Sequence, residues 1–66
     1  MDCHVETFRD ARQEGRCRAA VIETATARVL YVTWPYEHEA AARARAWRWV
    51  HEELDRRAED NPLFVR

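Results

Sequence analysis

Pro35 divides the chain into two kinds of sequence, and that division constrains the fold most. Ahead of it, residues 28–34 read Arg-Val-Leu-Tyr-Val-Thr-Trp, the β-branched and aromatic run of a strand. Behind it the chain turns to alanine, glutamate and arginine. Proline has no N–H for a sheet ladder, and its fixed φ suits the first turn of a helix. Glu37 and Glu39 would complement the positive end of the helix dipole. A helix is therefore expected from Pro35 or Tyr36 to about Glu59, with six alanines along it. Glu39–Arg43, Glu52–Arg56 and Glu53–Arg57 lie in the favourable acid-before-base i,i+4 order, each worth a few tenths of a kcal/mol. Pro62 biases Asn61 away from helix and ends the segment, leaving an extended tail over 60–66.

Two more strands precede the first of these segments. Residues 3–9 and 16–24 are strand-like runs, and Gly15 between them suits a positive φ at the end of a hairpin loop. With the third strand at 28–34, the order is β-β-β-α. The expected fold is α+β: a three-stranded antiparallel sheet packed on one C-terminal helix, as one small domain over 1–66. A chain of 66 residues buries only about 60% of its unfolded surface, so its core is marginal. Self-association, including a homodimer, is one way such a domain gains support.

The helix phase selects a core stripe. At about 100° per residue, Ala40, Ala44, Trp47, His51, Leu54 and Ala58 fall along one line. Trp47 is the centre of that stripe and is expected in the core. Trp49, two residues on, then points to the back of the helix. There it lies between Arg45 and Arg56, with Arg48, Glu52 and Glu53 nearby. Short loops suggest a register in which Ile22 opposes Leu30, Ala20 opposes Val32 and Val5 sits near Ala20. One sheet face then carries Cys3, Val5, Ala20, Ile22, Leu30, Val32 and Trp34, and should meet the helix. The other carries His4, Glu6, Phe8, Ala19, Val21, Glu23, Val29, Tyr31 and Thr33. A one-residue slip would invert a strand. Phe8, Val21, Val29 and Tyr31 on this second face form an apolar patch of the kind that marks an interaction surface, unless the tail with Leu63 and Phe64 covers it or Trp49.

Catalytic and metal chemistry find little footing. Serine is absent, and Cys3 and His4 alternate to opposite sides of a strand. The acidic neighbours Glu52 and Glu53 already have arginine partners. Cys3, His4, Cys17, His38 and His51 show neither a C-x-x-C nor an H-x-x-x-H spacing. Free thiols, no metal, no cofactor and no enzymatic activity are expected. No apolar run approaches the ~18 residues of a membrane span, and the N-terminus lacks the pattern of a signal peptide, so the expected location is the cytoplasm. All eleven basic residues are arginine, and the formal net charge is −1, so no bulk field draws the chain to nucleic acid.

These residues point to a protein-binding module whose candidate contact residues are Trp49, Arg45, Arg48, Arg56 and Glu52 on the helix back, with Tyr31 and Phe8 on the sheet. In size, sheet-plus-helix layout and lack of a catalytic motif, the chain resembles the small anti-CRISPR proteins of phages and mobile elements. The resemblance covers the whole chain in outline, without a shared residue motif. It implies a stoichiometric inhibitor that docks on a Cas complex and blocks target-DNA loading or nuclease recruitment. The alternative is a small DNA- or RNA-binding regulator using the arginine-rich helix or the sheet. A three-stranded sheet backed by a helix is similar in layout to the plant ethylene-response and phage-integrase N-terminal DNA-binding domains. Glu6 and Glu23 on the expected sheet face would repel phosphates.

Overall fold

Among the described residues of a computed structural model, Cys3–Arg9 (β1), Cys17–Glu23 (β2) and Val29–Val32 (β3) form strands and Glu39–Asp60 forms a helix (α1). The model describes the backbone of residues 2–60 and the side chains of residues 2–57. The expected tail, with Leu63 and Phe64, lies outside the described residues. The sheet is antiparallel in the order β1-β2-β3, and α1 follows it in sequence. The chain thus has the α+β, β-β-β-α architecture that its sequence implies.

Turn chemistry sets the hairpins. Gly15 takes the positive φ of 80° expected of it. Asp10 caps the loop, its carboxylate accepting from the Arg12 backbone N–H at 2.9 Å. The β2–β3 loop closes with an Ala27 N–H to Glu23 carbonyl bond of 2.8 Å and a Glu23 N–H to Arg28 carbonyl bond of 2.8 Å. Ala27 is held there at φ 60°, a left-handed conformation that costs an L-residue roughly 1–2 kcal/mol.

Two register features change the sheet faces. Val5 opposes Val21, with His4 opposite Ile22, one residue away from the expected pairing of Val5 with Ala20. Ala20 opposes Val32 as expected, and Val21 opposes Tyr31, but Ile22 opposes Val29 because a bulge intervenes at Leu30. An extra residue in one strand reverses the alternation beyond it. Val29 and Leu30 therefore keep their expected sides, while Tyr31, Val32, Thr33 and Trp34 exchange theirs. The face against α1 carries Cys3, Val5, Ala19, Val21, Leu30 and Tyr31, with Ala19 and Val21 fully buried.

On the helix the core residues are Ala42, Ala46 and Val50, with Trp49 packed beside them. This corrects the expected core stripe through Ala40, Ala44 and Trp47. Trp47 is 39% exposed and Trp49 is half-buried. The reason is size. β2 presents Ala19 and Val21 at the sheet centre, and a helix lies close over that floor only if small residues meet it. Ala42 and Ala46 are small enough, whereas Trp47 at the contact would hold the helix off.

The helix also begins later than expected. Tyr36 exchanges both backbone bonds with Cys17, each 2.8 Å, so the chain stays extended past Pro35. The first turn is then capped at His38, whose carbonyl accepts from Ala41 and Ala42. Thr33 bridges strand and turn: its buried hydroxyl accepts from the Ala19 N–H at 3.0 Å and donates to the Trp34 carbonyl at 2.9 Å. Glu39 ties the helix start to β1, accepting from the Thr7 hydroxyl at 2.7 Å and from Arg43 at 2.9 Å. Among the described residues no helix is long and apolar enough to cross a membrane.

Candidate interaction surface

The sheet face turned away from α1 is assembled from the alternate residues of each strand. Cross-strand pairing sets its rows: Phe8 beside Arg18, Glu6 beside Ala20 and Val32, His4 beside Ile22 and Val29. Trp34 follows Val32 by two and continues that side of the strand. It is 76% exposed, Val29 55% and Phe8 43%. Among the described residues no helix covers this face, and the sheet presents an apolar band there.

Polar groups frame the band unevenly. At one end His4 contacts Glu6, Nε2 to Oε2 at 2.8 Å, which gives that carboxylate a partner on the protein. At the other end Arg9, Arg12 and Arg18 share a shallow cleft with Phe8, Trp34 and Pro35. The Arg18 Nε donates to the Thr33 carbonyl at 2.9 Å. That bond anchors the side chain along the sheet beside Trp34 and leaves its terminal nitrogens free of this contact.

The seven residues singled out from sequence do not gather on one surface. Phe8 lies on the outward sheet face, as expected. Tyr31 does not; it packs against the core beneath α1. Trp49 is its partner there, with ring centroids 5.0 Å apart and planes within 5°. The Arg45 guanidinium lies 5.5 Å from the Tyr31 ring centroid, within reach of a cation–π contact. Trp49, Tyr31 and Arg45 therefore close the seam between helix and β3, which corrects the assignment of all three to outward-facing surfaces. Arg48 and Glu52 stay on the helix exterior as an ion pair of 3.1 Å. Arg56 pairs with Glu53 at 3.0 Å, so the expected Glu52–Arg56 contact gives way to these two.

Sequence reasoning missed Trp34, Val32 and Arg18 as outward-facing residues. Val32 and Trp34 belong to the expected strand; only their side is inverted, together with that of Ala20 and Ile22. Arg18 was hidden by the register slip. The thiols are free: Cys3 pairs across the ladder with Glu23 and Cys17 with Arg9, at opposite ends of the β1–β2 hairpin. Among the described residues no three His, Cys, Asp or Glu side chains gather into a metal-holding group.

Fold and surface together define a class: a small α+β domain whose sheet is, among the described residues, covered by a helix on one face. Comparison of the chain with protein-family models, curated proteins and solved structures finds no match.

Proposed function

We propose that this chain is a small protein-binding module that acts by occupying a surface of a larger protein, without turnover. The observation that carries the proposal is the outward sheet face, where Phe8, Val29, Val32 and Trp34 are exposed together. Antiparallel sheets with one solvated face ordinarily show polar side chains there. An aromatic pair with an arginine between β1 and Trp34 is instead the composition of an interface centre. A stoichiometric inhibitor of the anti-CRISPR kind, working in the cytoplasm on a CRISPR effector complex, is one form of this proposal. Such an inhibitor needs a rigid apolar face and no catalytic group.

The test is affinity capture of one stoichiometric partner from a host extract by the intact chain and by Trp34→Glu. Trp34 is largely solvent-exposed, so the variant keeps its circular dichroism. Binding should weaken by about 2 kcal/mol or more if Trp34 is an anchor. Undiminished capture by Trp34→Glu would remove the sheet face from the interaction.

One observation favours nucleic acid as a second reading. Arg9, Arg12 and Arg18 share the cleft beside Phe8 and Trp34, with Asp10 as its one carboxylate. Aromatic platforms flanked by arginines hold single strands by stacking and phosphate contact. Glu6 on the same face weighs against it, as does the net charge of −1. Oligonucleotide titrations at two salt concentrations separate the readings, since phosphate contacts give a steep salt slope.

A further inference from the structure

The helix has a second apolar stripe. Ala40, Ala44, Trp47, His51 and Leu54 follow one another at intervals of four, three, four and three residues. That is the a/d spacing of a coiled-coil seam. All five are exposed, and they lie roughly 120° around the helix from Ala42, Ala46 and Val50. The sheet does not use this stripe. It runs over about 21 Å of helix, long enough for three to four layers of side-chain contact.

We propose that this seam pairs with the same seam of a second copy of the chain, as an antiparallel helix pair about a two-fold axis. The surface carries both halves of the fit. A shallow cleft on the outer side of α1 is lined by Glu39, Ala40, Arg43, Ala44 and Trp47. It holds the bulky knob, Trp47, and a hollow of the right kind beside it, over Ala40 and Ala44. A patch that contains a knob and its own hole is self-complementary under two-fold symmetry: Trp47 of each copy enters the hollow of the other. The direction follows from size and charge. A parallel in-register pair would set Trp47 on Trp47 and Ala44 on Ala44, so that the helices are forced apart where they need to approach. It would also bring Arg43 beside Arg48 across the seam, a like-charge contact. An antiparallel pair centred between Ala44 and Trp47 places tryptophan over alanine and puts Arg43 and Arg48 on opposite sides of the seam.

The assembly then presents two copies of the outward sheet face described above. The pairing surface is distinct from the sheet face, so either can stand without the other.

Sedimentation equilibrium of the full chain, from micromolar to about millimolar concentration, tests the pairing. The expected result is a monomer–dimer equilibrium. Two variants identify the seam. Trp47→Arg removes the knob, and Ala44→Trp fills the hollow. Both sites are solvent-exposed in the single chain, so circular dichroism should keep its native form. Each variant should raise the dimer dissociation constant at least ~30-fold, the loss of one interface anchor. A wild-type chain that stays monomeric across this range overturns the proposal. So does a dimer that survives both seam variants but is lost in Trp34→Glu, which would place self-pairing on the sheet.

Discussion

The two faces of α1 each carry a tryptophan and two or more alanines, and their surroundings differ completely. The Trp49 face is built into the core, where Ala42 and Ala46 meet Ala19 and Val21 while Trp49 lies at the margin against Tyr31. Among the described residues no layer lies over the Trp47 face. What separates them is the order of sizes. Over a sheet whose middle strand offers alanine and valine, a helix seats its small residues centrally and its large one at the edge. The Trp47 stripe has the reverse order, with the bulk in its middle. Apolar content alone does not choose the buried face; the shape of the opposing layer does.

The largest effect should come from placing a charge between the layers. Val21 is fully buried under α1, whereas Val29 on the opposite sheet face is more than half exposed. Val21→Asp would place a carboxylate in the contact between sheet and helix. The cost of several kcal/mol exceeds what a domain of this size holds in reserve, so the variant should show an unfolded circular dichroism spectrum. Val29→Asp should stay folded, with a loss of about 1 kcal/mol or less by urea denaturation. Comparable losses at both sites would mean the sheet is buried on both sides.

The tryptophans give a finer contrast. Trp49→Ala removes a half-buried ring and its stack on Tyr31. It should cost about 2–3 kcal/mol, less than the 3–5 typical of a fully buried aromatic. Trp47→Ala should cost under ~1 kcal/mol when measured at low protein concentration, where association does not add to stability. Urea titrations of the two variants side by side check this, and the reverse ranking would put Trp47 in the core after all.

That ranking is also where the sequence was hardest to read. Strand and helix positions were legible because they rest on local chemistry: β-branched runs, a glycine at positive φ, a proline at the strand end. The three strands lie within one or two residues of their expected bounds. Which side each residue faces is a relation between distant segments. Reading it needed the one-residue offset of β1 against β2 and the bulge at Leu30, and no propensity marks either. Phe8 was placed outward correctly because β1 has no bulge in its pairing. Tyr31 was misplaced because the one-residue offset of β1 against β2 turns Val21, and with it the Tyr31 paired opposite, toward α1. For the helix, two apolar stripes were present, and the more regular of them was the one left outside. The heptad regularity of Ala40, Ala44, Trp47, His51 and Leu54 fits helix-on-helix packing better than helix-on-sheet packing, a distinction a helical wheel does not draw.

The smallest effect concerns neither face, and it supplies a means of comparing them more sharply. Gly15 and Ala27 close the two hairpin loops, and both have positive φ. Glycine adopts that conformation freely, whereas alanine at Ala27 pays roughly 1–2 kcal/mol for it. Ala27→Gly removes this strain but gives the unfolded chain more freedom, which offsets roughly 0.5–1 kcal/mol. The difference favours the folded state by about 0.5 kcal/mol, or a rise of about 2–4 °C in melting temperature for a domain of this length. Gly15→Ala makes the opposite change. Its added methyl meets no atom within 4 Å, so any loss there comes from backbone conformation and not from a clash. It should lower the melting temperature by a similar or larger amount. An Ala27→Gly background gives extra stability against which Trp47, Ala44 and Trp34 variants can be read as binding effects. If Ala27→Gly melts lower than the parent chain, the hairpin does not hold Ala27 in the left-handed region, and the β2–β3 register that depends on that loop must be redrawn.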